Sequence, residues 1–194
     1  VLYLIKIIFP NLWSFFLCDQ KHMASLTLLI ILRLIHISTG VFWAGSTMYL
    51  SWFITPAVQA AGPGGGKFMQ QLARTNRLPA VMTISSFLNV ISGIWLLWIL
   101  SEGFQLSWLS TTHGLILLTG SLLGIFAFLE GLFVTRPTAM KMNELSRQLG
   151  SGAPPSAEQL QQLEALRNKI VGATKLAAYL LAMAVVAMSL VRYL

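Results

Sequence analysis

The chain has 194 residues, of which 56% are apolar and only 10% charged, with a formal charge of +7. Soluble domains carry about 25% charged residues, so this composition excludes a water-facing surface of ordinary size and marks one suited to lipid. Nucleic acid is not an expected partner, because the basic residues fall in loops between apolar runs, a pattern of membrane topology. One cysteine, Cys18, excludes an internal disulfide framework and a Cys-based metal site.

Within residues 1–22 the run Val1 to Leu17 is apolar but interrupted by Lys6, Pro10 and Asn11, and these residues lack the positive leader and small-residue cleavage site of a signal peptide. They read as a leader or an outer interfacial segment, with Met23 the expected start of the mature chain. A hydrocarbon core of about 30 Å needs roughly 20 apolar residues in a helix. Four stretches meet this within one transmembrane domain over 23–194: about 26–55, 78–100, 111–135 and 171–194. Pro56, Pro79 and Pro137 mark helix boundaries, where a missing N–H is tolerated.

The loops set orientation. Lys67, Arg74 and Arg77 separate spans one and two; Arg136, Lys141, Arg147, Arg167 and Lys169 separate spans three and four. The other face has Glu102 in its connection, with Lys6, Lys21 and Arg192 at the termini. The positive-inside rule then places both basic loops in the cytoplasm and both termini outside a bacterial-type inner membrane. The expected fold is all-α, an up-down four-helix bundle. In the long inner loop, Ser156 and Gln159 resemble a capping box. Leu160, Leu163, Leu166 and Ile170 follow at helical spacing, so an amphipathic helix on the membrane surface or a partner is expected. The run Gly150–Pro155 breaks it from a preceding helix around 138–149, and Gly62–Lys67 lacks the spacing and Ser/Thr of a P-loop and reads as a flexible turn.

Ionisable groups inside a bilayer are costly and become functional candidates: here Arg33, His36, His113, Glu130 and Lys175, with Asn89 as a neutral companion. His36 shares a helical face with Gly40, Trp43 and Thr47, and His113 with Gly120, Gly124, Ala127 and Gly131, each within about 40°. Such small-residue stripes admit a close helix or leave a slot for something flat. At 1.5 Å per residue, His36 lies about 30 Å from Pro56 and His113 about 35 Å from Arg136, so the imidazoles sit at similar outer heights. Two such rings can supply axial metal ligands to a b-type haem, with Arg33 pairing a propionate and Trp43 packing on the macrocycle. The competing reading makes the histidines interfacial hydrogen-bonding groups. Glu130 is expected to pair with Arg74, Arg77 or Lys175. Ser85, Asn89, Ser92 and Gly93 form a polar stripe suited to interhelical hydrogen bonds. The methionines form no outward-facing copper cluster, and Asp19 is the sole aspartate.

The run Arg33-Leu-Ile-His-Ile-Ser-Thr-Gly-Val-Phe-Trp-Ala-Gly45 resembles the first helix of a superfamily of small membrane proteins that includes the copper-resistance D type (CopD-like) and the membrane protoporphyrinogen oxidase type (HemJ-like). Leu78-Pro-Ala-Val-Met-Thr, Ser92-Gly-Ile-Trp-Leu-Leu97 and the stretch from Trp108 to His113 are similar to the helices that follow, so the likeness covers roughly residues 30–135. The resemblance implies a four-helix membrane fold and a haem-associated histidine at His36. It does not carry the oxidase activity over, because Leu115 stands where that type has a lysine, and the loop 136–169 is longer. Two functions follow as expectations: haem binding for electron transfer or haem handling, or a non-catalytic accessory subunit of a larger respiratory or photosynthetic membrane complex.

Overall fold

A computed structural model describes residues 10–74, 77–149 and 156–193. Among these every regular element is helical. Helix α1 is Pro10–Tyr49, α2 Thr55–Ala60, α3 Pro63–Arg74, α4 Leu78–Leu100, α5 Leu106–Leu109, α6 Thr112–Glu130, α7 Arg136–Leu149 and α8 Ala157–Leu190. Four helical stretches, over 26–60, 78–100, 112–149 and 157–190, are long and apolar enough to cross a membrane. At 1.5 Å per residue α4 spans roughly 35 Å.

The prolines explain how two of these stretches exceed the hydropathy boundaries. Pro56 and Pro137 do not end their helices. Wider turns, Leu50–Ile54 and Gly131–Thr135, link α1 to α2 and α6 to α7 without interruption. A proline inside a helix donates no N–H and its ring collides with the carbonyl four residues back. Widening the preceding turn to five-residue spacing relieves that collision. The Thr55 N–H accordingly bonds Leu50 O, and the Arg136 N–H bonds Gly131 O.

Other expectations change for similar reasons. Residues 1–9 of the expected leader and the break Gly150–Pro155 lie outside the described residues. From Pro10 the backbone is helical straight through Met23, so no change of structure marks residue 22. The stretch Gly62–Lys67 is a turn only at Gly62, where φ is +58°; α3 starts at Pro63, a residue well suited to a first helical position. The capping box forms as read, with the Ser156 N–H donating to Gln159 Oε1 (3.0 Å) and the Gln159 N–H to Ser156 Oγ (3.2 Å). The helix it starts is not a separate surface helix. It is the first part of α8, which continues unbroken to Leu190. Gly172, at the junction with the span, lies within the unbroken helix and does not turn it. This first part packs against α7, with Leu163, Leu166 and Ile170 half-buried and Leu160 exposed.

The long helices contact one another in a closed ring: α1 on α4 and α8, and α6 on α4 and α8. The two tightest seams are α1 with α4 and α6 with α8, and both wide turns rest on α8. The buried core joins Trp43 and Ala44 of α1 to Ala127 of α6 and Ala177 and Leu181 of α8. Large apolar side chains such as Val41, Phe53, Ile84, Phe126 and Val186 remain exposed around the outside, as expected where lipid is the solvent.

Candidate functional site

Three polar residues of the spans, His36, Asn89 and Ser92, meet on the α1–α4 seam. His36 Nδ1 lies 2.9 Å from the backbone oxygen of Asn89. A carbonyl oxygen only accepts, so Nδ1 carries the proton, and in the neutral ring Nε2 keeps its lone pair. Asn89 reciprocates, its Nδ2 donating to the backbone oxygen of His36 at 2.7 Å. The 3.3 Å approach of that nitrogen to Nδ1 is then crowding between two donors. Ser92 Oγ donates to Leu88 O at 2.6 Å and stands 3.4 Å from Nδ1 as a weak second acceptor.

Two glycines make this exchange possible. A Cβ added at Gly93 would stand 2.7 Å from His36 Cε1, and one at Gly40 would stand 2.7 Å from Asn89 Nδ2. Each helix thus offers a bare patch to the other's polar side chain. Of the stripe Ser85, Asn89, Ser92 and Gly93 expected to bond between helices, the last three meet His36; that partner was not legible in the sequence.

The remaining candidates are placed differently from expectation. His113 is exposed on the second residue of α6, whose start is capped by Thr111 Oγ1 accepting from the Gly114 N–H at 3.1 Å. Gly93, which marks the depth of His36, lies seven residues, roughly 10 Å, inside the end of α4. α1 and α6 face each other across the ring, each packed on α4 and α8. The two imidazoles expected to share one iron thus have different surroundings, His36 in the α1–α4 seam and His113 at the exposed start of α6. The expected slot is also filled. Gly40 holds the Asn89 amide, Trp43 is in the core, and Gly120 receives Met188, Ala184 and Ala187 of α8. Helical periodicity gave the right faces but not which helix each would meet. Arg33 is exposed one turn from His36.

Glu130 accepts from a hydroxyl, Thr135 Oγ1 donating to its Oε1 at 2.7 Å across the second wide turn, and forms no ion pair with Arg77 or Lys175 among the described residues. The Arg74 side chain lies outside the described residues. The ion pair found among described residues is on the arm, Arg147 with Glu144 at 2.9 Å, both exposed. Hydrogen bonds from Arg147 and then Gln148 hold the Glu144 carboxyl below its usual range. Among the described residues no cluster of three or more His, Cys, Asp or Glu could hold a metal ion. Comparison of the chain with protein-family models, curated proteins and solved structures gives no match.

The haem-type group implied by the resemblance can thus be tested on the donor set. His36 suits one axial ligand, because ligating histidines ordinarily hold the other ring nitrogen on a carbonyl or carboxylate. The second ligand and the slot do not fit His113, Gly40, Trp43 and Gly120.

Proposed function

We propose that the chain is a multi-pass inner-membrane protein, an up-down bundle with both termini outside, that binds b-type haem through His36 alone and serves haem handling. The observation carrying this reading is the fixed tautomer. Asn89 O holds Nδ1–H, orients the ring and leaves Nε2 as the coordinating atom. Arg33, one turn nearer the outer end and exposed, would pair with a propionate at headgroup level. Bound haem would supply an iron with one protein ligand and one open position, which suits carriage and exchange better than the two strong axial ligands typical of cytochromes.

The test is optical. The purified protein, loaded with haem in detergent, should give a reduced-minus-oxidised band that His36→Ala abolishes and His113→Ala leaves intact. Folded wild-type protein that takes up no haem, or that loses the band equally in both variants, would end the proposal. A second reading, an accessory subunit of a larger membrane complex, is favoured by one feature. α7 and the first part of α8 form a paired arm on the basic side. Co-purification of a defined complex that is lost when the arm is shortened would support it.

A further inference from the structure

Helix α3 is tied at both ends to helices of the bundle. Two residues, Ala61 and Gly62, separate it from α2, and three separate it from α4. Gly62 turns the chain with φ +58°, and Gly65 is buried against α2, where a Cβ would run into the carbonyl of Val58. α3 packs on α2 and α4, its neighbours in the chain. Both neighbours belong to stretches long and apolar enough to cross a membrane, one ending at residue 60 and the other starting at 78. These short tethers confine α3 to the membrane boundary on the side of the basic loops.

The helix has two faces. At 100° per residue Gly65, Phe68, Met69 and Leu72 fall in one arc of about 100°, and Lys67, Gln70 and Gln71 in the opposite one. The structure keeps that division: Gly65 is buried and Met69 and Leu72 are half-buried, whereas Lys67, Gln70 and Gln71 are exposed. Phe68 is the exception, on the apolar face yet 52% exposed. Charge is one-sided too. Across 55–80 the chain has Lys67, Arg74 and Arg77 and no acidic residue, and Lys67 and Arg77 are exposed. The arm of α7 and α8 differs, since Glu144, Glu158 and Glu164 are interspersed with its basic residues and Arg147 is paired with Glu144.

We infer that α3 is an interfacial helix that seats on anionic phospholipid, with Phe68 inserted below the headgroups and Lys67 and Arg77 on their phosphates. The inference rests on the bundle crossing a membrane and not on the haem reading. Amphipathic helices of this kind bury their apolar face about 5–10 Å into the boundary between headgroups and acyl chains, and anionic lipid strengthens the hold. Each basic residue near such a surface favours it about fivefold. A protein partner is the poorer occupant, because the tethers already hold α3 against lipid. One headgroup layer also supplies both things this surface lacks, phosphate for the cations and hydrocarbon for the ring.

The experiment places a single nitroxide on the full chain, by Cys18→Ser with either Phe68→Cys or Gln71→Cys, the apolar label at 68 standing in for the ring. The protein is reconstituted in vesicles of phosphatidylcholine, alone or mixed with phosphatidylglycerol. Dissolved oxygen reports exposure to hydrocarbon, and a water-soluble nickel chelate reports exposure to water. In the mixed vesicles the label at 68 should meet oxygen and the label at 71 nickel. Phosphatidylglycerol should lower nickel access at 68 severalfold, and Lys67→Gln with Arg77→Gln should remove that response. Nickel reaching both labels alike would overturn the inference, since α3 would then stand in water. So would a label at 68 that neither reagent reaches, which means a protein surface covers it, or nickel access at 68 that ignores phosphatidylglycerol.

Discussion

The two tight seams of the bundle solve one problem with opposite chemistry. Between α1 and α4, His36 and Asn89 exchange hydrogen bonds with each other's backbone, each seated on the other helix's glycine. Between α6 and α8 the contact is close and apolar: a Cβ at Gly120 would meet Met188, Ala184 and Ala187 at 3.1–3.4 Å, beside the buried Ala127 and Ala177. In lipid no hydrophobic force drives helices together, so both polar exchange and close backbone approach are available as glue. They differ in tolerance. A small-residue seam resists any added atom, whereas a polar seam can lose one bond and keep the rest. Only the polar seam also leaves a reactive nitrogen, His36 Nε2, in a fixed direction.

The largest effect is expected at Ala178, which is fully buried in α8. Ala178→Leu adds three carbons to a side chain with no exposed surface. Overpacking of this kind costs about 1–3 kcal/mol, and the upper end applies because neither backbone can retreat without opening the core at Ala127 and Leu181. Unfolding in mixed detergent micelles should show the loss. If Ala178→Leu were as stable as wild type, α8 would not be packed as closely as its buried alanines indicate.

Gly93→Ala probes the other seam with a smaller expected change. Its Cβ would meet His36 Cε1 at 2.7 Å, so the imidazole must move. The steric cost is partly offset by the roughly 1 kcal/mol that alanine gains over glycine in a helix, leaving a net loss of about 1 kcal/mol. Gly45→Ala meets nothing within 4 Å and should be neutral or slightly stabilising. A haem band that shifts in Gly93→Ala and not in Gly45→Ala would connect the seam to the proposed ligand. Equal behaviour of the two variants would separate them.

How much of this was legible in the sequence follows from which quantities are local. Apolar length and missing charge exposed the four long helices, and the Ser156–Gln159 spacing gave a cap that forms as read, because both depend on neighbouring residues. The span Leu78–Leu100 was readable to the residue, since Pro79 sits where a helix begins. Pro56 and Pro137 misled for a tertiary reason. The wide turns before them rest on α8, and packing there carries the helices past a residue that would end an isolated one. The site was half legible. Periodicity placed His36 on a small-residue face, yet which helix fills that face depends on ring order, which no single-helix pattern contains. For Gly120 the same argument failed, because Met188 lies 68 positions away.

Asn89→Ala is the finest cut through the comparison. It removes the side-chain donor to His36 O, a bond that α1's own helical pairing partly replaces, and leaves untouched the backbone oxygen that holds His36 Nδ1. Interhelical hydrogen bonds in membranes average about 0.6 kcal/mol, so the stability loss should be near that value and below that of Gly93→Ala. The tautomer of His36 should not change, because the carbonyl of residue 89 remains whatever side chain it carries. Nitrogen chemical shifts of the imidazole can check this directly: Nδ1 should stay protonated in the variant. A ring that switches its proton to Nε2 would mean that the amide side chain, rather than the α4 backbone, sets the orientation. The polar seam would then be no more tolerant of single losses than the apolar one.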